Sequence, residues 1–197
     1  MKDNQSISRR SFLVASGTAL TGSAFINPLA GVQAAETSTH PVEFWTHIKV
    51  FENILIKYPK LTIVAAHCSW LVLQDAQIDY LRYLLSTYPQ LYIDLSATFQ
   101  YIHFANHENL RDLYIEYQDR VLYGTDGGRV PDDEINQIAD RYANTFAILE
   151  TDQTVMGGYF GEKPVKGLNL PKEVLEKVYY KNAWKLYPGL KGAMNLH

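Results

Sequence analysis

The chain has 197 residues, of which 47% are apolar and 20% charged, and its formal net charge is −3. That balance excludes a disordered or fibrous protein and carries no basic excess of the kind that binds nucleic acid. A single cysteine, Cys68, excludes an internal disulfide and any multi-cysteine metal site.

The first 34 residues read as an address. Arg9 and Arg10 stand in Ser-Arg-Arg-Ser-Phe-Leu, directly before a weakly apolar stretch over residues 12–30. That stretch is short and rich in Gly, Ser and Thr, which suits an export signal better than a bilayer span. It ends in Val32-Gln33-Ala34, a small-residue cleavage pattern. The expectation is twin-arginine export to the periplasm or the medium, with no membrane insertion after cleavage. Residues 35–39 then form a linker, residues 40–190 one domain, and residues 191–197 a tail.

Beyond the linker, helix and strand patterns alternate. Pro41 opens a helix predicted to run to residue 58, with Phe44, Ile48, Phe51 and Leu55 at helical spacing. Residues 61–66 (LTIVAA) are apolar throughout, as in a buried parallel strand. A helix is predicted over 71–88, a strand over 91–97, a helix over 109–117 and a strand over 120–125. Another helix is predicted over 132–150. A Gly-rich loop over 157–167 then leads to a last helix from Pro171 to about residue 187. This alternation is the signature of βα units around a parallel sheet.

Two polar residues stand out by position. His67 follows the strand 61–66 and Asp126 follows the strand 120–125. Parallel α/β folds place their sites at the carboxyl ends of strands, where a His and an Asp serve as metal ligands or as an acid/base pair. Each also has a plain structural reading, as a hydrogen-bonded core histidine and a turn or cap aspartate. Strand alternation turns Cys68 to the face opposite His67, which makes a Cys–His nucleophile pair unfavourable. Cys68 reads as a small buried residue. His103 and His107 read as substrate-loop or solvent-exposed residues, His47 as exposed or packed, and Asp94 as structural or rim-facing.

Four blocks in order resemble the amidohydrolase-related family of metal-dependent hydrolases and decarboxylases. They are Tyr58-Pro59-Lys60-Leu61 leading to Ala66-His67; residues 88–96 (YPQLYIDLS); residues 119–126 (DRVLYGTD); and residues 178–183 (VYYKNA). The resemblance implies a (β/α)8 barrel with a metal site at its carboxyl face. It implies a divalent metal, Zn²⁺ the first choice, with His67 and Asp126 as ligands and Asp126 moving the proton of an attacking water. His40-Pro41 resembles a third, histidine-bearing position. The family's early His-x-His pair has no counterpart among the histidines at 40, 47, 67, 103, 107 and 197.

A full barrel takes about 250 residues, so the resemblance covers only its second half, about the last three βα units. The fold class expected is therefore α/β, a partial TIM-barrel-like fold. Such a piece leaves a sheet edge open, which predicts self-association or a partner that completes it. The function implied is an exported metal-dependent hydrolase acting on a small-molecule substrate. The alternatives are a carbon–carbon lyase (decarboxylase) of the same family and a non-catalytic truncated remnant or interaction subunit.

Overall fold

The computed structural model describes residues 13–15, 41–126, 135–156 and 163–190. Helix α1 (Pro41–Lys57) begins at the predicted proline and buries Ile48, Phe51 and Leu55 along one stripe. Glu43 in its first turn and Lys57 in its last complement the helix dipole. Helix α2 (Asp75–Thr87) buries Ile78, Leu81, Leu84 and Leu85. Helix α3 (His107–Glu116) is capped by Asn106, whose side chain accepts from the amides of Glu108 and Asn109 at 3.1 Å each.

The strands β1 (Leu13–Ala15), β2 (Ile63–Ala65), β3 (Leu91–Asp94) and β4 (Val121–Leu122) form one parallel sheet in that order. Ala65 pairs with Ile93, and Ile93 with Val121. Strand β1 falls inside the stretch read as an export leader and occupies the edge beside β2, a pairing the leader pattern did not foretell. Ile63, Ala65, Leu91, Ile93 and Val121 enter the main core, together with residues of α1, α2 and α3. Val64, Tyr92 and Leu122 form a second cluster with Leu186. Both sheet faces are therefore apolar, as the unbroken apolar run at 61–66 requires.

All three strands are shorter than predicted, ending at Ala65, Asp94 and Leu122. His67, Ala97 and Asp126 each take a left-handed conformation, with φ of 56°, 56° and 57°. Each such residue turns the chain away from the extended path a ladder needs.

The outward edge of β4 is covered by the chain itself. Asn182 is buried and donates its side-chain amide to the carbonyls of Gln118 (2.7 Å) and Val121 (2.8 Å). The Tyr123 amide donates to the Val178 carbonyl at 2.9 Å. That carbonyl belongs to a widened π-helical turn (Lys177–Lys181) between α5 (Lys172–Glu176) and α6 (Asn182–Leu186), the helix α4 (Ile135–Glu150) having come earlier in the chain. An outside amide bonding into a helix ladder displaces the regular bond and widens the turn.

Three further elements were not legible as predicted. The Gly-rich stretch is flanked by an antiparallel hairpin, β5 (Thr154–Met156) with β6 (Pro164–Lys166); residues 157–162 lie outside the described residues. A 3₁₀ segment (Phe99–Phe104) precedes α3. The helix predicted from residue 71 begins only at Asp75, residues 71–74 forming turns and bends. Helix α4 starts at Ile135, and the predicted residues 132–134 lie outside the described ones.

A polar cluster pins α1 to α2. The Glu52 carboxylate is buried and accepts from Lys49 Nζ, from the Tyr80 hydroxyl at 2.8 Å and from the Tyr88 hydroxyl at 3.1 Å. Burial pushes this carboxyl upward, but those donors outweigh it and hold it down at about 2. No helix among the described residues is long and apolar enough to cross a membrane.

Candidate functional site at the carboxyl rim

The rim begins where β2 ends. Residues 67–70 all lie in the left-handed region, with φ between 51° and 60°. For non-glycine residues this costs roughly 1–2 kcal/mol each, so local contacts must hold the turn. They come mainly from the next strand. The His67 amide donates to Asp94 Oδ1 at 3.1 Å, and the Cys68 thiol donates to the Asp94 carbonyl at 3.1 Å. Cys68, Trp70, Leu71 and Val72 are buried, which adds the apolar contribution.

This turn places the His67 ring. Its Nδ1 lies 2.8 Å from the Ser96 carbonyl oxygen and 3.0 Å from Ser96 Oγ. The Ser96 amide donates to Asp94 Oδ1 at 3.0 Å, and the Ser96 hydroxyl makes a short hydrogen bond to the same oxygen. One carboxylate oxygen thus gathers the His67 backbone, the Ser96 backbone and the Ser96 side chain. Gly124, after β4, presses against Ser96. Ser96 is therefore the point at which the ends of β2, β3 and β4 meet. The His67 ring also packs on Trp70 (centroids 5.1 Å), which meets Tyr101 at 5.5 Å.

His67 stands at the rim, half-buried, as its position after a strand predicts. Asp126 is exposed beyond β4. With β3 lying between β2 and β4, their backbones stand about 10 Å apart. His40 lies outside the described residues. Cys68 is fully buried, and burial, with the Asp94 charge beside it, pushes its thiol well above the ordinary range. A thiol so placed is no nucleophile. Asp94 proves structural, in the sense that it organises the rim.

For two histidines the solvent-exposed alternative falls. His107 is half-buried and its Nε2 lies 2.6 Å from the Gly167 carbonyl, tying α3 to the chain after β6. His103 is half-buried against the Phe104 ring (centroids 3.8 Å). Neither is solvent-exposed, and they sit on different elements. His47 is exposed on α1.

Ser96 is a residue of this site that the sequence patterns above do not single out. Its signal was there: it stands two residues after Asp94 in a block that runs straight off a strand, so a short side chain there can reach back.

Imidazole nitrogen and carboxylate oxygen are both zinc donors, and a ring held through Nδ1 is the usual arrangement of a metal-bound histidine. His67 and Asp126 suit the group in chemistry, and His67 in its anchoring. Among the described residues no three His, Cys, Asp or Glu side chains converge as a ligand set.

A mixed α/β chain, with a parallel sheet and an anchored histidine at its carboxyl rim, belongs to the class of α/β proteins that build their sites on strand ends. Comparison with known families specifies it further. The family model described as "Amidohydrolase" matches residues 26–189, and the chain belongs to that family. The match begins inside the stretch read as a leader. No curated protein and no solved structure gives a significant match to the chain.

Proposed function

We propose that the chain is an exported, amidohydrolase-like hydrolase whose chemistry takes place at the carboxyl rim of the sheet, around His67 and Asp126. One observation carries the reading: the 2.8 Å contact from His67 Nδ1 to the Ser96 carbonyl, which engages one ring nitrogen and leaves Nε2 as the working atom. A divalent ion, Zn²⁺ first, would be held by His67 Nε2 and Asp126, with His40 the third candidate. Such an ion lowers the pKa of bound water to about 7. Asp126 would take the proton of an attacking water, and its exposure beyond the strand end supports that reading. The fold corresponds to about the last three βα units of a barrel, and the substrate is a small molecule with a hydrolysable C–N or C–O bond. Decarboxylation on the same rim is the variant chemistry. A second reading, a non-catalytic chain that keeps the family scaffold, is favoured by the lack of any His-x-His in the 197 residues.

Zinc titration of the purified chain, by calorimetry, tests the site. Wild type is expected to bind one ion, and His67→Ala and Asp126→Ala to lose at least tenfold in affinity. Equal binding by all three chains rejects the metal site. Turnover of ester, lactone and amide substrates against CO₂ release from carboxylated aromatics then separates hydrolase from lyase. A chain inactive in both assays falls to the non-catalytic reading.

A further inference from the structure

We infer that Asp94 is a positioning residue that sets which nitrogen of His67 carries the hydrogen. The argument is one of donors and acceptors. A serine hydroxyl has a single hydrogen to give. In this site that hydrogen goes to Asp94 Oδ1. Ser96 Oγ, 3.0 Å from His67 Nδ1, can then face the ring only as an acceptor. The other atom facing Nδ1 is the Ser96 carbonyl oxygen, at 2.8 Å, which never donates. Both neighbours of Nδ1 therefore require an N–H there. The neutral ring has one hydrogen, so Nε2 keeps its lone pair.

Asp94 controls this through Ser96. Without the carboxylate, the Ser96 hydroxyl is released and can turn its hydrogen onto Nδ1. That arrangement demands the opposite tautomer, with the hydrogen on Nε2 and its lone pair gone. Asp94 also holds the ring's own backbone, through the His67 amide at 3.1 Å, so the ring and its hydrogen-bond partner share one anchor. The weight of this device for function rests on the reading of His67 as the working residue. The tautomer itself does not, and it is measurable in a chain with no substrate and no metal.

The experiment is nitrogen-15 NMR of the histidine-labelled, metal-free chain at a pH where the imidazole is neutral, with the His67 signals assigned by their loss in His67→Gln. Wild-type His67 is expected in the Nδ1–H form. Asp94→Ala is expected to raise the Nε2–H population severalfold. The double variant Asp94→Ala/Ser96→Ala has no hydroxyl to turn, leaves the carbonyl as the only partner, and is expected to restore Nδ1–H. A merely structural Asp94 predicts instead that the double variant is as perturbed as the single one. An Nε2–H ring in wild type overturns the proposal with no variant needed, even if both variants fail to fold. Failure of restoration in a folded double variant overturns it as well. Zinc binding by wild type is read in the separate titration, so a failure of the tautomer proposal and a failure of the proposed function are distinguishable.

Discussion

Gly124 and Ser96 meet at the carboxyl rim so closely that a Cβ on Gly124 would stand 3.2 Å from the Ser96 Cβ. A methyl group there crowds the residue that holds His67 Nδ1. Gly124→Ala is expected to cost about 1–3 kcal/mol through overpacking and to shift the His67 ring signals. Thermal denaturation and the NMR spectrum report the two effects separately. An unchanged ring spectrum would show that Ser96 yields without moving its partner.

The left-handed turn after β2 stores strain that one glycine can relieve. Ser69 has φ of 52° and is half-buried. Glycine adopts that conformation freely, at the expense of a more flexible unfolded chain. Ser69→Gly is expected to raise stability by about 0.5–1 kcal/mol net. Ser69→Val is expected to lower it by more, because a β-branched residue suits positive φ least. Urea denaturation of the three chains gives the order.

Glu52 links stability to acid. Its folded pKa lies at about 2, below the ordinary 4.5. Its contribution is present in full above the ordinary value and is lost as pH falls through the folded one. Between pH 4.5 and about 2, wild type is therefore expected to lose stability more steeply than Glu52→Gln. Parallel curves for the two chains over that window would remove Glu52 as the source.

Asn182 bonds two backbone carbonyls that no described strand reaches, those of Gln118 and Val121. Asn182→Leu leaves both unpaired in a buried place, which is expected to cost about 1–3 kcal/mol for each. Asn182→Asp is expected to be no better, because a carboxylate oxygen facing a carbonyl oxygen repels it. Chemical denaturation measures the loss.

Gly167 is required by space. A Cβ there would stand 2.0 Å from the Thr151 carbonyl oxygen, a clash with backbone that cannot step aside. Gly167→Ala is expected to unfold the chain near the hairpin, read as lost amide protection at Leu168 and Leu170. Their amides bond the carbonyls of Ile148 and Leu149.

Helix α1, strands β2, β3 and β4, and the alternation of helix and strand were legible because they rest on local patterns. Apolar spacing in α1 and the unbroken apolar run at 61–66 carry their own periodicity. The left-handed turn was not legible, since Cys68, Ser69 and Trp70 bear no glycine signal and the turn is held by Asp94, a residue of another strand. The hairpin was hidden for a similar reason: its strands are three residues each, below the length at which alternation declares itself. His67 was found by its place after a strand. Its anchoring could not be, because Ser96 lies 29 residues away and only the sheet register brings them together. The cover of the β4 edge was not legible either, because a side-chain amide and a widened helical turn do the work of a strand there.

That closure has a consequence for how the chain folds. Sixty-one residues separate Val121 from the Asn182 amide that covers it. During synthesis β4 emerges well before its cover, and its outward carbonyls and amides wait on water or on the wrong partner. Joining the two ends of so long a loop carries an entropic cost and slows folding, as non-local pairings do. Docking of residues 177–186 onto the sheet is therefore expected late in folding, with the β4 edge open to wrong partners until then.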